Sequence, residues 1–263
     1  MQPMANMALR AARNAGDIIL RAMDRIDRLT IEEKGRNDLV SQVDRDAEAA
    51  IIDVLHTAYP DHGIVGEENG ELFTSDEYTW IIDPLDGTTN YLYGIPHFCI
   101  SIALKKGHNL EQAVIFDPVR NEEFVASRGS GAQLNGKRIR VSPRSGLESA
   151  ILNTGIPPRA VGERLHSYMG MMEAFTKKCH AVRRMGSAAL DLAYVAAGRV
   201  DGFWEYQLKP WDIAAGALLV REAGGFVSDF EGGDNFLSSG NIIAANQKCF
   251  KPMISVVRAH DIT

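Results

Sequence analysis

The chain has 263 residues, 45% of them hydrophobic and 24% charged, the make-up of an average soluble globular protein with a substantial core. Its 28 Lys and Arg against 34 Asp and Glu leave a net charge of −6, which lacks the cationic footprint of broad nucleic-acid or membrane-surface binding. Three dispersed cysteines, Cys99, Cys179 and Cys249, with no CxxC or Cys/His cluster, suggest neither a disulfide framework nor a zinc site and fit reduced thiols in the cytoplasm.

The opening stretch MQPMANMALRAARNAG does not read as a secretion signal, because polar residues interrupt its apolar ones. No apolar run approaches the length of a bilayer span. Met4, Met7, Ala8, Ala11, Ala15, Ile18, Ile19, Ala22 and Met23 recur at helical spacing and predict an amphipathic helix over about residues 4–26. KGRNDLVSQVD then carries the Gly and Asn of a loop. Val43, Ala47, Ala50, Ile51, Val54, Leu55 and Ala58 give a second helical stripe, closed by Tyr59-Pro60.

From residue 63 the texture changes to short apolar or alternating runs between turn residues: GIVGEE, TWIID, FCISIALKKG, EQAVIFD, EEFVAS and GAQLNG. These predict strands, mostly antiparallel because the links are short. Helix and strand alternate after that. SAILNTG, AVRRMG, VDGFWEY, GFVSDF and NIIAAN predict strands; residues 160–178, SAALDLAYVAAG, PWDIAAGALLVREAGG and residues 247–259 predict helices. Pro at the start and Gly at the end of the third of these follow the usual asymmetry of helix ends. The whole predicts a layered α/β chain with a soft internal boundary near residues 140–150.

The chemistry concentrates in WIIDPLDGTTN at residues 80–90. Pro84 favours extended backbone at Asp83, which is expected at a strand tip, and Asp86 follows across a bend. Two acids so close repel unless a cation or a proton sits between them. Glu67 and Glu68 end another predicted strand, and Asp212 falls in the first turn of a helix. Carboxylates without His or Cys beside them are hard oxygen ligands that suit Mg²⁺ or Mn²⁺. Each acid also has an ordinary reading: Asp-Gly is a common turn, Asp212 suits a helix start, and Asp44 three after Ser41 completes a capping box. Gly87 permits close backbone approach, and Thr88 and Thr89 offer hydroxyls and outward amides for an anion. Metal ligands beside a phosphate cradle imply phosphoryl chemistry.

GEE followed by DPLDGTTN, and later PWDIAAGALLVREAGG, resembles the paired signatures of the inositol monophosphatase family over essentially the whole chain. MGSAALDLAYVAAGRVDGFWE is similar to its bacterial, SuhB-type branch. The resemblance implies one domain over residues 1–263, folded as a five-layer αβαβα sandwich. It implies two or three Mg²⁺ per site, with Li⁺ as an inhibitor. By motif position, Glu67, Asp83, the Leu85 carbonyl, Asp86 and Asp212 are implied metal ligands, and Asp44, Glu67 and Thr88 catalytic residues. Glu67, Leu85, Asp86, Gly87, Thr88, Arg183, Ala188, Glu205 and Asp212 are implied to face the substrate.

The implied reaction is in-line hydrolysis of myo-inositol 1-phosphate by a water that Thr88 and Asp44 align, without a covalent enzyme intermediate. Relatives acting on 3′-phosphoadenosine phosphates, fructose bisphosphate or NADP share the metal motif. The SuhB-type likeness also implies a role in transcription antitermination with RNA polymerase and Nus factors, and family members are often homodimers. Cys99 lies in the apolar strand HFCISIAL rather than a thiolate phosphate loop, and Trp80, Trp204 and Trp211 read as core or pocket wall. GGFVSDFEGG opens no dinucleotide fingerprint. Arg183 and Arg184 read as a phosphate anchor, a subunit contact or a solvated edge.

Overall fold

The computed structural model describes residues 2–23, 31–35, 38–75, 77–156 and 163–260, without the side chains of 31–35, 38–41, 163 and 164. Helix α1 (Pro3–Met23) is followed by a two-stranded antiparallel ribbon, β1 (Ile31–Gly35) and β2 (Asp38–Ser41), and by α2 (Gln42–Ala58). Strands β3 (Gly63–Gly66), β4 (Gly70–Phe73) and β5 (Tyr78–Asp86) lead to the short helix α3 (Thr88–Leu92). Then come β6 (Cys99–Lys106), β7 (Asn109–Asp117), β8 (Glu122–Ser127), β9 (Gly131–Leu134) and β10 (Lys137–Arg138). The rest runs β11 (Ile151–Thr154), α4 (Glu163–Lys178), β12 (Ala181–Arg183), α5 (Ala188–Ala196), β13 (Gly202–Glu205) and α6 (Pro210–Glu222). It closes with β14 (Phe226–Ser228), α7 (Phe236–Ser239), β15 (Ile242–Ala245) and α8 (Phe250–Arg258).

Eight strands form one sheet in the order β10-β9-β8-β7-β6-β5-β3-β4, antiparallel except where β3 and β5 run parallel. Five form the other, β12-β11-β13-β15-β14, parallel from β12 to β13 and antiparallel beyond. Helices α1 and α2 pack on one face of the large sheet, and α5 and α6 on its other face and against the small sheet. Helices α4 and α8 cover the small sheet's outer face. This is the αβαβα layering that the family resemblance implies.

Small residues set the spacing of the outer layer. Ala5, Ala8, Ala11, Ala12 and Ala15 form the buried stripe of α1. Gly16 lets that helix approach β7 so closely that a Cβ there would stand 2.7 Å from the Phe116 ring. Helices α5 and α6 are apolar nearly all round because both their faces are covered. Gly216 gives them their close approach at Leu192.

Several expectations are corrected. The loop expected at residues 34–44 is largely the β1–β2 ribbon and the start of α2, its Gly35 paired across to Asp38. The first helix is described as far as Met23; residues 24–26 of its expected span lie outside the described residues, as do 160–162 of the α4 span. Strands β4 and β10 and helices α3 and α7 are additional; each is too short for hydrophobic period to reveal. Asp83 is not at a strand tip. Strand β5 continues through Pro84 to Asp86 with an irregular register between the two acids, and Pro84 sits where the ladder is already broken.

One buried acid ties residues 140–150 to the rest. Asp201 is fully buried and accepts from Ser142 Oγ at 2.5 Å, Ile151 N at 2.8 Å and Arg144 Nη1 at 3.3 Å. Its carboxylate has partners throughout, so its role is structural. No helix among the described residues is long and apolar enough to cross a membrane.

Candidate active site

The residues singled out in WIIDPLDGTTN lie where the two halves meet. Asp83 is buried on β5, and Leu85 N donates to its Oδ1 at 2.9 Å, closing a tight turn across Pro84. Directly opposite Asp83 on β6 is Ser101. Its hydroxyl donates to the carbonyl of Trp211 at 3.1 Å and so docks the start of α6 onto the large sheet. That contact brings Asp212 to the acids of the first half. Asp212 caps its own helix, Oδ2 accepting from Lys209 N at 2.7 Å.

Glu67 follows β3, and its amide donates to the carbonyl of Ile82 at 3.1 Å, one residue from Asp83. The turn that carries it is held by Glu48, a fully buried acid on α2. Glu48 accepts from Glu68 N and Asn69 N, both at 3.0 Å, and from Asn69 Nδ2 at 2.7 Å. Gly66 makes room for it: a Cβ there would stand 2.5 Å from Glu48 Oε2. Thr88 Oγ1 lies 3.0 Å from Asp44 Oδ1 and 2.9 Å from the carbonyl of Leu85. Its one proton serves one of these acceptors at a time. Gly87 has φ +97, a left-handed geometry that favours glycine. A side chain there would also press on the His97 carbonyl at 3.1 Å and on Phe98. The glycine thus serves the packing of the turn as well as the openness expected of it.

The electrostatics follow from the crowding. Burial, then the charges of Glu67, Asp86 and Asp212, hold Asp83 well above the usual carboxylate range, with only the Leu85 amide pulling back. Burial pushes Asp86 up to about 6 against the donors Ser187, Ala189, Ala188 and Cys99. Burial and the charge of Asp86 push Asp212 up to about 8. Glu205, at the end of β13, is raised by burial and by Asp191 and Asp86, and is drawn down by Arg184 and the Gly155 amide. Acids from both sheets and from helix starts therefore feel one another, and their shared cost is relieved by a proton or a cation.

Their chemistry fits a hard cation: carboxylate oxygens plus the Leu85 carbonyl, with no histidine among them. Among the described residues, no three His, Cys, Asp or Glu side chains stand as a ready-made cage. Asp83, Asp86 and Asp212 are each turned toward a backbone amide instead.

The remaining expected residues divide. Ala188 is buried at the start of α5, beside the donors to Asp86. Glu205 is buried, and a Cβ on Gly155 would overlap its carboxylate. Arg183 is exposed, its guanidinium donating to the carbonyl of Val182. Its neighbour Arg184, also exposed, is the one whose charge reaches Glu205. Cys99 is fully buried with its thiol pushed up by burial and by Asp86, the state of an inert core cysteine. Trp80 and Trp204 are fully buried and Trp211 packs against the core, as expected.

Sequence reasoning passed over Glu48, Asn90 and Ser187. Glu48 was visible as an acid one turn beyond Asp44 on the buried face of α2. For the phosphate release that the family resemblance implies, Glu48→Gln is expected to lower kcat/KM about 10–100-fold, the usual effect of losing an orienting partner. Its amide would face the amides of Glu68 and Asn69 with a donor. A circular dichroism spectrum and melting temperature close to the parent's would separate misplacement of Glu67 from unfolding, and unchanged kcat/KM would contradict the assigned role.

The family model "Inositol monophosphatase family" matches residues 1–261. The Nus factor SuhB of Pseudomonas aeruginosa PAO1 is 54% identical over 264 residues, covering 99% of this chain and 97% of that protein. The extragenic suppressor protein suhB of Bartonella henselae has a crystal structure that superposes with a TM-score of 0.93 at 44% identity, over 96% of this chain and 97% of that one. An IMPase of Thermotoga maritima superposes with a TM-score of 0.88 at 36% identity, over 97% and 96%. On the whole-chain match, and on sequence and fold alike, the chain belongs to the inositol monophosphatase family.

Proposed function

We propose that the chain is a Mg²⁺-dependent phosphomonoesterase that releases phosphate from myo-inositol 1-phosphate. The observation that carries this reading is the convergence of Glu67, Asp83, Asp86 and Asp212, each raising the cost of ionising Asp83 or being raised by its neighbours. Glu67, Asp83 and the Leu85 carbonyl would hold one cation, and Asp83, Asp86 and Asp212 a second. Bound there, divalent cations supply charge neutralisation for the phosphoryl group and a lowered pKa for the attacking water.

The chain's own residues do the rest. Thr88 Oγ1, giving its proton to Asp44, offers a lone pair to the water. As the water attacks, its proton passes to Thr88 and that of Thr88 to Asp44, so Asp44 ends protonated. Gly87 and Thr88, by their motif position, would present their amides to phosphate oxygens. Glu205 accepts from substrate hydroxyls, and Ala188 walls the same side; Arg183 holds its substrate role on resemblance alone. Catalysis is then positioning and charge stabilisation. A single domain, a homodimer, a cytoplasmic location and inhibition by Li⁺ belong to the same proposal.

Phosphate release measured side by side on inositol 1-phosphate, 3′-phosphoadenosine 5′-phosphate, fructose 1,6-bisphosphate and NADP tests it. Inositol 1-phosphate is expected to lead, and preference for another by orders of magnitude would reassign the substrate. A second reading, a partner role in transcription antitermination, is favoured by the 54% identity to a protein named a Nus factor. Capture of RNA polymerase by the chain and by its Asp83→Asn variant alike would support a scaffold separate from catalysis; no capture by either would remove it.

A further inference from the structure

Asp86 sits on β5, yet most of its donors come from the second half of the chain. Ser187 Oγ donates to Oδ2 at 2.6 Å and Ala189 N to the same oxygen at 2.7 Å. The Cys99 thiol, opposite Asp86 in the sheet register, stands 3.9 Å from it. These three contacts fall on Oδ2, and the Ala188 amide is a further donor to the carboxylate.

Ser187 is committed on every side. It is the N-cap of α5, accepting from Leu190 N at 3.3 Å. Its single proton goes to Asp86, and Cys99 Sγ stands 3.6 Å from its oxygen. The segment before it is pinned to the Thr88 turn. Asn90 Nδ2 donates to the Met185 carbonyl at 2.9 Å and to that of His97 at 2.8 Å. Gly186 turns there at φ +88, and a Cβ on it would stand 3.0 Å from Asn90 Nδ2. The hydroxyl cannot swing away without giving up both the helix cap and the carboxylate.

We propose that Ser187 is a positioning residue for cation binding, an inference that rests on the cation reading of the site. By engaging Oδ2 it fixes the Asp86 carboxylate in the one orientation in which it faces the cation. Partners that orient a metal-bound carboxylate contribute to affinity through the ligand they hold.

Mn²⁺ titrated into the substrate-free protein, with free Mn²⁺ followed by electron paramagnetic resonance, measures this apart from turnover. Ser187→Ala and Ser187→Gly both remove the hydroxyl, but glycine caps a helix nearly as well as serine whereas alanine does not. The two variants are expected to weaken Mn²⁺ binding alike, about 10–100-fold, although the alanine variant melts at a lower temperature. Ser187→Thr keeps the hydroxyl and is expected to bind as the parent does. Parent-like binding by both the alanine and glycine variants would overturn the proposal. So would a loss that tracks melting temperature, severe in alanine and absent in glycine, since the serine would then be a cap alone. A parent protein that binds no Mn²⁺ would sink the cation reading and this inference together, whereas tight parental binding with unaffected variants removes only the role of Ser187.

Discussion

Asp83→Asn is expected to abolish phosphate release and yet make the cation-free protein more stable. Asp83 is buried among three other carboxylates, with one amide in its favour. On the proposed reading Asp83 is shared between two cations, and its loss would remove charge stabilisation of the whole transferring group, a fall of at least about a thousandfold in kcat. Without cations the same carboxylate only costs: ionised it is repelled, and protonated it has paid for its proton. Asparagine keeps the shape and an acceptor for Leu85 N without either cost. The gain is expected as a rise in melting temperature measured in chelator near pH 8. A variant that loses activity and stability together would show that Asp83 serves the fold.

The second large effect is on pH. Asp86 and Asp212 are pushed up to about 6 and about 8 from an ordinary value of 3.8. Raised carboxyl groups bind more protons folded than unfolded across that window, so their stabilising contribution is whole below about pH 4. It is lost as pH rises through 6 and then 8. Asp86 alone is worth on the order of 3 kcal/mol at about 1.4 kcal/mol per unit, trimmed by water because both carboxylates are partly exposed. In chelator the melting temperature is therefore expected to fall from pH 5 to pH 8.5. On the proposed reading saturating Mg²⁺ would bind the deprotonated acids and is expected to remove or reverse that slope. A melting temperature in chelator that is flat with pH would mean that these acids do not crowd one another.

What the sequence made legible was local. Helix α6 could be read from Pro210 and the glycines after its last turn, and Asp212 was visible at its start. Its arrival beside Asp83 depends on Ser101 gripping the Trp211 carbonyl, a contact 110 residues apart that no period or spacing encodes. The five layers likewise came from resemblance to a family; the residues alone gave alternating helices and strands. Strands β4 and β10 were too short to show alternation, and the irregular register at Pro84 hid the continuation of β5 to Asp86. Glu48 and Ser187 escaped for a shared reason. Each acts through another residue, so neither carries a motif of its own, and Glu48 lies inside an apolar stripe where an acid reads as a blemish in the pattern. Resemblance put Arg183 toward the substrate, whereas in the fold it is the charge of Arg184 that reaches Glu205.

Crystals soaked in Mn²⁺ and measured at the manganese absorption edge test the convergence of these acids most directly. Anomalous peaks are expected within about 2.0–2.6 Å of oxygens from Glu67, Asp83, Asp86 and Asp212, with the Leu85 carbonyl among the ligands of one of them. Fully soaked crystals with no peak between β5 and the start of α6, or with manganese only at surface carboxylates, would contradict it.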